Sequence, residues 1–243
     1  MFFKKNQISK ISNTYKYLLK KFDKKNNLQK ILLKKKIDKN VSIKMSYDIQ
    51  AGSYINFFKS ISSKKFEKIY SPIIQTYLRE FRNCKTILDF GCGELTSSLF
   101  LFSKIKKYIS QYFANDISLN RLYIGKNYIE SRLKHNDRKK LKIFCNSDLN
   151  LPFKNNSIDL IITIHSLEPN NNNAKQIITE LFRVANKGLI LMEPHYEIAN
   201  SKQKKRMKNY NYVRGLERLL KNKNYNLKII KKDIHINELN KSS

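Results

Sequence analysis

The sequence predicts an α/β fold: a doubly wound, mostly parallel sheet carrying a helical amino-terminal extension. Three observations predict it. The run Thr86–Phe90 is apolar and β-prone, Gly91 and Gly93 follow, and Leu99, Phe100 and Phe102 then keep helical spacing. Strand, glycine turn and helix in that order make a dinucleotide-type loop. Short apolar runs then alternate with helical stripes toward the carboxyl end, as crossover units of a parallel sheet do. Two of those runs, Tyr112–Ile117 and Lys142–Asp148, reach an acidic residue at or near their ends, at the edge where open α/β sheets gather polar groups.

Taken in order, residues 1–44 form a Lys- and Asn-rich extension, set apart from a main domain at 45–243. Tyr15, Leu18, Leu19 and Phe22 make one helical stripe, and Leu28, Ile31 and Leu32 a shorter one. Gly52 and the polar residues between Tyr47 and Tyr54 suggest a loop entering a helix over Met45–Ile55. Lys64–Arg82 reads as a helix that Pro72 either kinks or restarts. After the glycine turn, Ser118 caps a helix running to about Leu133. The third strand ends at Asp148, and Leu149–Ser157 is a polar loop around Pro152. Ile158–His165 is a continuously apolar, central strand. Ala174–Ala185 is the next helix, Gly188–Met192 a fifth strand, and Lys202–Lys221 a charged helical region. Leu227–Ile236 is a last strand, which leaves room for one strand after the fifth where the fold discussed below normally has two.

The composition narrows the class. At 243 residues with 41% hydrophobic content, the chain can bury one sizeable core. A net charge of +30 invites a nucleic-acid partner. Yet Lys far outnumbers Arg, and Lys, Asn, Ile, Tyr and Phe are abundant while Gly and Pro are scarce. Those abundant types share A/T-rich codons, so coding bias accounts for much of the charge, and nucleic acid is not the favoured partner. Cys84, Cys92 and Cys145 lack disulfide or metal spacing and fit a reducing compartment. No apolar run reaches membrane-span length, and the start resembles neither a secretory nor a mitochondrial leader. The expected location is cytoplasmic.

The glycine turn departs from the pyrophosphate-binding pattern. Thr96 replaces its third glycine, and Asp89 and Glu94 flank the loop. Carboxylates there repel a pyrophosphate and favour a ligand carrying an ammonium and a sulfonium. The residues Ile87-Leu88-Asp89-Phe90-Gly91-Cys92-Gly93 resemble motif I of class I methyltransferases, and Asn115-Asp116-Ile117-Ser118 resembles their second motif. Leu95 stands where a further loop glycine is usual.

That resemblance implies S-adenosylmethionine as cofactor. Asp89, Gly91 and Gly93 then face its methionine end and Asp116 its ribose, and Asp148 accepts from the adenine amino group. Ile117, Leu149 and His165 complete the cofactor set. Methyl transfer needs an aligned acceptor and, for a hydroxyl, a base. His165 suits the base by its ordinary pKa, while Glu168 and Glu193 orient the acceptor or bond the cofactor amine. His195 and Glu197 are further candidates. The segment Leu167-Glu168-Pro169-Asn170 lacks the double proline and aromatic of amino-group methylation on adenine or glutamine. Gln50–Tyr54, His165–Asn170, Glu193–Glu197, Arg206-Met207 and Tyr212–Gly215 together resemble a bacterial methyltransferase group tied to surface-sugar biosynthesis. It implies a small-molecule acceptor, a sugar hydroxyl or amine such as a nucleotide sugar offers, with Arg206 and Arg214 placed for an acidic group. Two alternatives stay open: an RNA methyltransferase clamping phosphates with the Lys-rich extension, and a non-catalytic S-adenosylmethionine-binding module.

Overall fold

A computed structural model describes residues 28–146 and 149–221. The expected first helix around Tyr15–Phe22, the expected strand Leu227–Ile236 and Asp148 lie outside the described residues. Five parallel strands form one sheet: β1 (Thr86–Phe90), β2 (Gln111–Asp116), β3 (Leu141–Cys145), β4 (Ile158–Ile164) and β5 (Ala185–Met192). Their spatial order is β3-β2-β1-β4-β5. The chain winds outward from β1 to β3, then crosses back to place β4 on the other side of β1. The crevice at the carboxyl ends of β1 and β4 is therefore the switch point of the sheet, where such folds hold ligands.

The helices are α1 (Leu28–Lys34), α2 (Lys39–Ile49), α3 (Ser53–Ser60), α4 (Ser63–Glu80), α5 (Thr96–Ile105), α6 (Leu119–Glu130), α7 (His135–Lys140), α8 (Ala174–Val184), α9 (Ser201–Asn209) and α10 (Leu216–Lys221). The sheet is buried on both faces because its strands alternate apolar residues between two cores. Ile87, Tyr112, Leu160 and Ile162 pack with Tyr77, Leu101 and Phe102 from α4 and α5. Leu88, Phe90 and Ile161 pack with Ile177, Leu181 and Val184 of α8 and with Leu216 and Leu220 of α10. Each fully buried side chain of this kind contributes about 1.5–3 kcal/mol of transfer free energy. No helix among the described residues is long and apolar enough to cross a membrane.

Three local readings change. Helix α4 runs unbroken through Pro72. The carbonyl that the missing Pro72 N–H leaves free is that of Lys68, and it accepts from Ser71 Oγ at 3.4 Å. β5 begins at Ala185, directly after α8 and three residues before Gly188. Met45–Ile55 is mostly helical: it holds the last turns of α2, a short turn with Gly52 at φ +97°, and the start of α3. The division expected between residues 44 and 45 thus falls within α2. Ser42 and Ser46 are buried in α2 and donate to Ile37 O and Ser42 O. Leu28, Leu32, Ile37 and Met45 bind α1 to α2.

Candidate active site

The glycine turn is shaped by what lies against it. Gly91 has φ +69°, and a Cβ placed there would sit 2.3 Å from Ser166 Cβ, in the loop that leaves β4. Leu95 adopts φ +57° and opens α5 despite its side chain. A buried Leu in the left-handed region is unusual; it packs fully into the core, which offsets the backbone cost.

Asp89 is buried below the turn and accepts from Ser98 Oγ at 2.6 Å and Tyr112 Oη at 3.0 Å. Burial raises its pKa to about 6, against the lowering effect of those two hydrogen bonds. Asp116, at the carboxyl end of β2, accepts from Gly93 N–H at Oδ2 and Ser118 N–H at Oδ1, each at 2.8 Å. A carboxylate has about four acceptor sites, so both oxygens retain lone pairs for a ligand hydroxyl pair. Glu94 is a correction to the reading of a ligand-facing acid. Its two oxygens accept from Gly52 N–H at 3.0 Å and Ile55 N–H at 2.8 Å, which caps α3 and ties the amino-terminal helices to the turn.

Above the turn, α2 crosses the carboxyl edge of the sheet. Asn40 Oδ1 accepts from Asn173 Nδ2, and Asp48 Oδ1 accepts from Ser118 Oγ. Two small cavities remain beneath α2. One, of about 40 Å³, is lined by Ile43, Ile117, Leu149, Asn170 and Ile177 among others. Its neighbour, of about 30 Å³, is lined by Tyr47, Gly91, Asp116, Arg121, His165 and Ser166 among others. Ile117 and Leu149 thus share one wall, and Gly91, Asp116 and His165 the next. Spaces of this size seat water rather than a nucleoside.

On the β4 side, His165 has φ +54° and its Nδ1 lies 3.2 Å from Glu168 Oε2. Burial lowers the imidazole pKa, but the Glu168 hydrogen bond and the Glu168 and Glu193 charges outweigh it and leave the pKa raised. Glu193 Oε1 accepts from the N–H groups of Ser166 and Leu167 at 3.0 and 3.2 Å, so this carboxylate holds the loop rather than projecting from it. Burial raises its pKa to about 7. His195 and Glu197 serve a different element: His195 Nε2 meets Glu217 at 2.7 Å, and Glu197 accepts from Gly215 N–H. They anchor α10. Tyr212 and Arg206 stand on the same side as Glu168, whose charge helps burial to raise the Tyr212 pKa while Arg206 opposes it. The sequence pattern gave no sign of Arg121, whose buried guanidinium lies over the rings of Tyr47 and Tyr54 at 4.9 and 4.6 Å. Its only trace was a basic residue at an inward position of an otherwise ordinary helix.

Residues 88–192 match the family described as a methyltransferase domain. Magnesium protoporphyrin IX methyltransferase from Synechocystis, solved with bound SAH, aligns over 72% of this chain and 84% of its own at 14% identity and a TM-score of 0.54. The YcgJ protein of Bacillus subtilis aligns at 15% identity and a TM-score of 0.50, covering 64% of this chain. The alignment takes in 65% of YcgJ, just under two thirds of its length. At these identities the likeness is one of fold. No curated protein matches the chain by sequence. With the family match running from β1 through β5 across the glycine turn and Asp116, residues 88–192 are an S-adenosylmethionine-dependent methyltransferase domain of the class I, Rossmann-like fold.

Proposed function

We propose that this protein methylates a small polar acceptor, a sugar hydroxyl or amine, with His165 as the base. The observation that carries the reading is the His165–Glu168 pair. It stands at the carboxyl end of β4, with His165 in the same cavity wall as Gly91 and Asp116. The cofactor supplies an activated methyl on a good leaving group. The donor set suits it: Asp116 keeps acceptor capacity for the ribose hydroxyls, and Asp89 and the turn serve the methionine end. Ile117 and Leu149 flank the base.

Nδ1–H of His165 donates to Glu168 in this arrangement, which fixes Nε2 as the atom that takes the acceptor proton. Glu168 orients the ring and stabilises the imidazolium that forms. Glu193 acts through the backbone of Ser166 and Leu167 and sets where His165 stands. The acceptor enters past Tyr212 and Arg206, and Arg206 suits an acidic group on it.

The lysines support a small acceptor over RNA. Among the described residues every helix from α1 to α10 carries at least one, so they do not single out one phosphate-binding element. At the amino edge of the sheet they are engaged, Lys85 with Tyr108 O and Lys140 with Lys106 O and Ile109 O. The test is transfer of labelled methyl to a panel of sugars, nucleotide sugars and RNA. Label in the sugar fraction that falls with His165→Ala while cofactor affinity holds supports the reading. Label confined to RNA contradicts it.

A further inference from the structure

Lysine content sets no helix apart, but the pairing of charge does. Helix α9 carries Lys202, Lys204, Lys205, Arg206 and Lys208 and no acid. No other described helix has more than two cations without an acid. Elsewhere Lys44, Lys104 and Lys106 meet Asp48, Glu67 and Asp137, whereas among the described residues no α9 cation stands in an ion pair. Lys202 and Arg206 are four residues apart, as are Lys204 and Lys208, and like charges at that spacing repel. Lys202 also lies at the amino end of the helix, where the dipole disfavours a cation.

This charge is fastened to the candidate site. Met207 is buried under α9, and Tyr212 N–H donates to Met207 O at 2.9 Å. The next residue, Val213, donates its N–H to Glu168 O at 2.9 Å, beside the His165–Glu168 pair. Arg206 is exposed, yet near enough for its charge to weigh against a proton on His165. Helical spacing puts Lys202, Arg206 and Tyr210 on one face, and Arg206 Cζ lies 5.9 Å from the centre of the Tyr210 ring.

A guanidinium with an ammonium beside it matches a phosphate, the first through paired N–H groups and the second as a point charge. A phosphate ester brings about two negative charges at neutral pH, which relieves the repulsion between the pair that holds it. Nine residues of helix span about 13 Å, room for one or two phosphates rather than the track that a nucleic acid needs. Resting on the reading of His165 as the base, we infer that the acceptor is a soluble phosphate ester. Its phosphate seats on the Lys202–Arg206 face of α9, which leaves its hydroxyl or amine to reach toward His165.

The experiment titrates pyrophosphate into the protein saturated with S-adenosylhomocysteine, so that the glycine turn is taken. Wild type is compared with Arg206→Ala, Lys202→Ala and Lys139→Ala, the last removing an exposed lysine of α7. Arg206→Ala is expected to weaken binding about 10-fold, the scale of a charged hydrogen bond. Lys202→Ala should weaken it less, and Lys139→Ala not at all. Methyl transfer is then followed on matched sugars with and without a phosphate, where Arg206→Ala should lower kcat/KM on the phosphorylated members alone. A wild type that does not bind pyrophosphate overturns the inference, and so does equal weakening by Arg206→Ala and Lys139→Ala. Transfer to an unphosphorylated sugar that Arg206→Ala leaves unchanged overturns it while the reading of His165 stands. Label confined to RNA removes both.

Discussion

Replacing Gly91 with Ala tests how closely the β4 loop seats the glycine turn. The new Cβ would lie 2.3 Å from Ser166 Cβ and 3.1 Å from its Oγ, on a residue held at φ +69°. The left-handed conformation costs a non-glycine residue about 1–2 kcal/mol. Forcing a methyl into a packed contact adds about 1–3 kcal/mol, since Ser166 N–H is fixed by Glu193 and cannot retreat freely. The total is about 2–5 kcal/mol of lost stability, read by urea unfolding at unchanged slope. Ser166→Gly removes the clashing atoms and keeps the N–H. In the Gly91→Ala background it should recover the packing part, a coupling of about 1–3 kcal/mol in a double-mutant cycle. Strict additivity of the two substitutions would refute the contact.

Two further predictions concern titration. The His165 imidazole must be neutral to take a proton, and its pKa is raised above 6.5 by Glu168 and Glu193 against the effect of burial. Turnover should therefore rise with pH along a limb centred above 6.5, and Glu168→Gln should move that limb to lower pH; an unmoved limb would take the pair out of the mechanism. Glu193 is lifted by burial from 4.5 to about 7. A folded state that binds a proton more tightly than the unfolded one loses stability as pH rises through that window. Glu193→Gln keeps an acceptor oxygen for Ser166 and Leu167 and should reduce the slope of the unfolding free energy between those pH values, leaving the part that Asp89 contributes with its pKa raised to about 6, whereas an undiminished slope would contradict the burial argument.

The elements that patterning could reach were those whose burial is periodic. β1, β2 and β4 are buried on both faces and read as apolar runs, and Ser118 caps α6 through Arg121 N–H as its position implied. Met45–Ile55 was misread because Gly52 and the polar residues between Tyr47 and Tyr54 signal a loop. The turn they mark is only the joint between α2 and α3. Glu94 was misplaced for a different reason. The N–H groups it accepts from lie 42 and 39 residues away in sequence, so no local spacing announces them. Arg121 escaped notice because its surroundings come from α2, α3 and the turn together, which only the tertiary fold assembles.

The most direct test of the account is calorimetric titration of S-adenosylhomocysteine into wild type and Asp116→Ala. The account predicts micromolar binding to wild type. It also predicts a loss of about 1–3 kcal/mol in the variant, the worth of charged hydrogen bonds, with the fold checked by its unfolding transition. No heat and no thermal shift at millimolar ligand, or undiminished affinity in Asp116→Ala, would contradict it.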